Sequence, residues 1–155
     1  MLIGLISDTH GVLPAEVFSL FDDVDLILHA GDVGREEVLI ELGTIAPVIA
    51  VSGNTDRYPL AGKLKSKEFI ERAGLKICLT HIMPSPKAYA FQLFKMNKKV
   101  DVVVYGHTHK PSQLVFNGIL FVNPGSAVQP RHSKGRSVAL LSVRDGRTQV
   151  EFKYF

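Results

Sequence analysis

Val102-Val103-Val104-Tyr105-Gly106-His107-Thr108-His109 is a short β-branched run that breaks at a glycine and ends in two histidines. Such a run predicts a buried parallel strand covered on both faces, with Gly106 letting the chain pass closely over whatever lies beyond the strand end. In extended backbone His107 and His109 point the same way. The carboxyl end of a parallel strand is where open α/β sheets place their ligand crevices, and two same-side imidazoles there suit a metal site. A pair of hydrogen-bonded loop histidines would satisfy this stretch equally well. The rest of the chain decides between them.

Upstream, Leu2-Ile3-Gly4-Leu5-Ile6 reads as a central strand that stops at Ser7-Asp8-Thr9-His10, with Asp8 and His10 on one side. Asp8 could instead cap the helix that Pro14-Ala15-Glu16-Val17-Phe18 begins, with proline in its first turn. Residues 25–29 form a second strand running into Ala30-Gly31-Asp32, with His29 expected behind the ligands as a satisfied core histidine. Residues 35–42 read as a helix with Val38, Leu39 and Leu42 inward, and residues 47–51 as a third strand ending in Ser52-Gly53-Asn54-Thr55-Asp56. Asn-Thr-Asp after glycine is also common turn chemistry. The pattern nevertheless recurs three times: apolar strand, glycine or small residue, oxygen ligand.

Residues 57–67 are polar and irregular, a surface loop near the site. Residues 68–72 and 75–79 read as a hairpin closed at Ala73-Gly74, its second strand finishing at Thr80-His81. Residues 89–94 suit an amphipathic helix ended by Asn97 and the Lys98-Lys99 pair. After the histidine pair the pattern turns antiparallel. One hairpin carries Asn117-Gly118, and another joins residues 137–143 to 148–152 across Asp145-Gly146; together these are expected to build a second sheet packed on the first. Between them lies Asn123-Pro124-Gly125-Ser126, followed by Arg131, His132 and Lys134. It reads either as an inter-strand loop or as a phosphate-facing loop of backbone amides and a basic side chain.

The 155 residues fit one domain, and 46% hydrophobic with 21% charged residues suits a globular core. Net charge is +3, but the basic residues are too dispersed to argue for nucleic acid. The single Cys78 excludes an internal disulfide and lies in an apolar run, as a packed core thiol would. No signal peptide or membrane-spanning stretch is visible, and a reducing, cytoplasmic setting is expected.

Collected, the strand-end residues are Asp8, His10, Asp32, Asn54, His81, His107 and His109. They exceed the needs of one ion and suit two octahedral-type sites sharing a carboxylate. Their mixed nitrogen and oxygen donors favour Mn2+ or Ni2+, with Fe, Co or Zn as alternatives, over Ca2+. Asp-x-His, Gly-Asp, Gly-Asn, a lone His and Gly-His-x-His occur in this order along the chain, which thereby resembles the calcineurin-like metallophosphoesterases, in their compact prokaryotic phosphodiesterase branch.

The resemblance implies an α/β (α+β) fold: a four-layer metallophosphatase-type sandwich of two mixed β-sheets flanked by helices. It implies that Asp8, His10, Asp32 and His109 hold one metal and Asp32, Asn54, His81 and His107 the other, with Asp32 bridging. Asp32, Asn54, Asp56 and Arg131 are the catalytic candidates, acting on a small phosphodiester. Many relatives carry a histidine after Gly-Asn where this chain has Thr55, and a glycine after the lone histidine where it has Ile82. A competing reading is a non-catalytic protein-binding scaffold, as in the retromer subunit of similar fold. A metal-dependent nuclease is a third, but it needs a nucleic-acid cradle that so short a chain does not show. The partners expected are a small phosphodiester substrate and further copies of the chain in a homo-oligomer, with no membrane and no nucleic acid.

Overall fold

The computed structural model describes residues 1–144 and 146–155. In it β1 (Leu2–Ile6), β2 (Leu26–His29) and β3 (Val48–Ala50) pair in parallel, connected by α1 (Glu16–Leu20) and α2 (Glu36–Gly43). Gly4 makes the first of these connections pack: a Cβ there would stand 3.0 Å from the ring of Phe21, which follows α1 and is wholly buried. The residues 57–67 read as irregular contain a short helix, α3 (Leu60–Lys63), with Leu60 buried.

β4 (Lys67–Arg72), β5 (Leu75–Thr80), β6 (Val102–Val104), β7 (Ser112–Phe116) and β8 (Ile119–Asn123) build a second sheet in the order β4-β5-β6-β8-β7. β6 lies between two parallel neighbours and is buried along its length, as its β-branched run requires. α4 (Pro86–Lys95) crosses between β5 and β6 and begins earlier than its apolar periodicity suggests. Its signal is a cap: the Ser85 hydroxyl accepts from the Ala88 N–H at 3.2 Å, with proline in the first turn.

The C-terminal hairpin corrects the sequence expectation. β9 (Ser137–Arg144) and β10 (Arg147–Tyr154) do not extend the second sheet, because β9 pairs antiparallel with β1 and completes the order β10-β9-β1-β2-β3. Unpaired, β1 would leave the backbone of a fully apolar strand at an edge. β9 suits that inner position, since Ala139, Leu141 and Val143 enter the core between the sheets while Val138 and Leu140 meet the helices. The charged, alternating β10 takes the edge instead. Asp145, expected in the connecting turn, lies outside the described residues.

Three apolar clusters make the layers. One fills the space between the sheets, one joins the first sheet to α1 and α2, and one joins the second sheet to α4 through Cys78, Tyr89, Leu93, Val103 and Phe121. The result is the expected four-layer sandwich of two mixed sheets, and Cys78 is the buried free thiol its sequence context implied. No described helix is long and apolar enough to cross a membrane.

Candidate metal centre

The carboxyl ends of β1, β2, β3, β5 and β6 meet at one rim. There the backbone turns sharply after each strand, and Asp8, His10, Asp32, His107 and His109 all adopt positive φ, at 55, 46, 53, 69 and 58°. L-residues reach this region only when their surroundings impose it, and such strain gathers at functional sites. The turns lock into one another: the Asp8 N–H donates to the Gly31 carbonyl at 3.0 Å and the His10 N–H to the Asp32 carbonyl at 3.0 Å. Gly106 permits the close approach between sheets, because a Cβ there would lie 2.0 Å from Ser7 Oγ.

Two groups of donor atoms form on this rim, Asp8 with His10 and His109, and Asp8 with Asp32 and His81. Asn54 adjoins the second, its Oδ1 3.0 Å from His81 Nε2. Asp8 occurs in both groups, and Asp32, the expected bridge, in the second. His107 stands at the margin: its ring is exposed and 5.3 Å from that of His81, centroid to centroid, while its backbone N–H donates to Asp8 Oδ2 at 3.1 Å.

The protonation pattern fits a cation. His81 Nδ1 lies 2.7 Å from the Ala30 carbonyl and His109 Nδ1 2.6 Å from the Gln129 carbonyl. A carbonyl only accepts, so Nδ1 of each ring donates and Nε2 is the atom turned toward the site. Both Nε2 atoms face carboxylates: His81 Nε2 is 3.4 Å from Asp32 Oδ2, and His109 Nε2 is 3.2 Å from Asp8 Oδ1, a buried oxygen with no hydrogen-bond partner. Two buried carboxylates this close together call for positive charge beside them, which a metal ion on these nitrogens and oxygens would supply.

The electrostatics agree. Burial raises the Asp8 carboxyl above its usual range, against the Ser7 hydroxyl and nearby imidazoles that pull it down. For Asp32, burial is outweighed by hydrogen bonds from His81 and the Thr55 N–H, and the carboxyl falls well below its usual range. Burial pulls the His81 imidazole down, but its bond to Asp32 and to the Ala30 carbonyl lifts it above normal. His29 is pushed down to about 3 by complete burial. It is neutral, accepting from the Gly31 N–H and bonded to Thr9 Oγ1 at 2.9 Å, a core histidine behind the ligands as expected.

Other candidates lie apart from the donor groups. Both oxygens of Asp56 are taken, by the Gly34 N–H at 2.7 Å and the Gly53 N–H at 2.8 Å, so this carboxylate braces two turns. Arg131 is exposed, and its backbone N–H is tied to the His109 carbonyl. The Asn123 to Ser126 block does not face phosphate. Asn123 and Ser126 are wholly buried, with Asn123 Nδ2 donating to the Gly106 carbonyl and the Ser126 hydroxyl to the Asp8 carbonyl. Sequence reading missed Ser7, whose hydroxyl donates to Asp8 Oδ2 at 2.7 Å, and Gln129, which sets the His109 tautomer through its main chain. Nothing local marks a residue that acts by its carbonyl alone.

The chain matches the profile of the calcineurin-like phosphoesterase superfamily domain over residues 1–146, and it belongs to that family. It is 40% identical over 153 residues to a probable metallophosphoesterase of Methanocaldococcus jannaschii, covering 94% of this chain and 77% of that one. A protein of the same organism named a phosphodiesterase is 33% identical over 141 residues, 81% of this chain and 83% of that one. Among solved structures, Vps29 of Entamoeba histolytica complexed with zinc superposes with a TM-score of 0.79 at 25% identity, with 99% of each chain covered.

Proposed function

We propose that this metallophosphoesterase is a dinuclear phosphodiesterase that hydrolyses a small phosphodiester to a monoester and an alcohol. The observation that supports this most is the convergence of the His81 and His109 Nε2 atoms on the carboxylates of Asp32 and Asp8, at 3.4 and 3.2 Å. Asp8, His10, Asp32 and His109 would hold one ion and Asp32, Asn54, His81 and His107 the other, Mn2+ or Ni2+ before Fe, Co or Zn. Two such ions, when bound, supply Lewis acidity at the phosphoryl oxygens and a water acidic enough to attack phosphorus near neutral pH.

The chain's own residues do the rest. Asp56 holds the turns that carry Asp32 and Asn54, acting as a positioning residue for both. Arg131, exposed on the loop that follows Gln129, supplies a cation for the substrate phosphate. Thr55 stands where a proton donor to the leaving group would be placed, its Oγ1 3.5 Å from His10 Nδ1. A hydroxyl does not protonate an alkoxide near neutral pH as imidazole does. The enzyme therefore serves diesters whose alcohol departs as a stable anion, acting as one cytoplasmic domain spanning residues 1–155.

Elemental analysis of the purified protein, followed by rates on bis(p-nitrophenyl) phosphate and p-nitrophenyl phosphate with each metal, tests the reading. Two ions per chain and faster diester hydrolysis are expected. A protein without bound metal or turnover would favour the scaffold reading.

A further inference from the structure

Beside the donor groups, and sharing Asn54 and His81 with them, a cavity of about 320 Å³ opens to the surface. Its walls come from three strand ends: Ser52 to Asn54 after β3, Ser66 and Lys67 where β4 begins, and Thr80 to Ile82 after β5. Ile82, half exposed, lends it an apolar side, and Lys67 is its one permanently charged side chain.

The lysines on either side are neutralised locally, Lys63 by Glu36 at 2.7 Å and Lys65 by Glu68 at 2.9 Å. Lys67 is different. It makes no ion pair among the described residues, and its ammonium is held 4.6 Å over the ring of Tyr89, itself only 2% exposed. That contact orders the side chain without neutralising it. An ordered, half-buried ammonium with no carboxylate partner among the described residues is suited to meet an anion that enters the cavity. The substrate phosphoryl group is one anion, but it belongs on the donor cluster. The cavity is offset from that cluster, and its volume is at the small end of ligand sites.

Resting on the phosphodiesterase reading above, we infer that this cavity receives the second ester substituent of the substrate, and that Lys67 selects a compact substituent ending in an anion, a carboxylate or a second phosphate. Such a contact is charge-assisted and should favour the anionic substituent by roughly 10-fold or more.

The test uses full-length metal-loaded protein and four p-nitrophenyl phosphodiesters sharing one leaving group. Their second alcohols end in a carboxylate, a phosphate, a methyl group or the quaternary ammonium of choline. Wild type should show the higher kcat/KM for an anionic ester over the choline ester, mainly through KM, and the carboxylate and phosphate arms identify which anion is preferred. In Lys67→Met, which keeps the stem over Tyr89, that ratio should collapse toward one; in Lys67→Glu it should invert. Turnover of these esters with the same ratio in all three proteins would overturn the role of Lys67 and leave the diesterase reading standing. Failure of metal-loaded wild type to hydrolyse any of them would remove the diesterase reading, and this inference with it.

Discussion

The main-chain N–H of His107 donates to Oδ2 of Asp8 at 3.1 Å, across 99 residues of sequence and from one sheet to the other. The hydroxyl of Ser7 donates to the same oxygen at 2.7 Å, leaving Oδ1 free toward His109. Asp8 is thus oriented by both sheets before any ion binds. Its position in both donor groups sets it against Asp32 as the shared carboxylate.

Asn substitutions separate the two. If Asp8 serves both ions, Asp8→Asn should lose both and Asp32→Asn should retain one; if Asp32 bridges, the pattern reverses. Either variant should lose at least ~10²-fold in diesterase rate, more than is typical for residues behind the ligands. Elemental analysis beside the rate measurement checks this, and full metal content in both variants would refute the donor assignment.

Gly53 is needed for space. A Cβ on it would fall 2.1 Å from Asp32 Oδ1 and 2.2 Å from the Asp32 nitrogen. Gly53→Ala must therefore push the Asp32 turn away, at a cost of about 1–3 kcal/mol for an overpacked site. Metal affinity should fall along with the denaturation midpoint. Unchanged metal titration in a folded variant would show that this turn tolerates displacement.

A metal that binds the folded chain and not the unfolded one stabilises it. At a free Mn2+ concentration of 100 Kd the gain is about 2.7 kcal/mol per ion. For a chain of this size each kcal/mol raises the Tm by roughly 2–4 °C. Calorimetry with and without Mn2+ should show that rise in the wild type and a reduced one in Asp32→Asn.

Thr55→His restores an imidazole next to Asn54. It should raise the rate on alkyl or cyclic nucleotide diesters by up to ~10²-fold while changing aryl diesters little, since only a poor leaving group needs the proton. An equal change on both substrate types would mean that leaving-group protonation is not what this position controls.

What the sequence alone determined is local. An apolar run, a glycine and a polar residue within a few positions specify a strand and the turn that ends it. In this way β1, β2, β3 and β6, and the residues at their ends, were legible, as was the Asn117-Gly118 hairpin. Tertiary structure decided what depends on distance between remote residues. It placed Asp8 in both donor groups, turned Asp56 onto the Gly34 and Gly53 amides, set the His109 tautomer through Gln129, and left His107 at the margin. It also sent β9 to β1, because which open strand edge a hairpin covers depends on both faces of the partner strand. A periodic pattern records how a strand is buried; it carries no record of the neighbour that buries it.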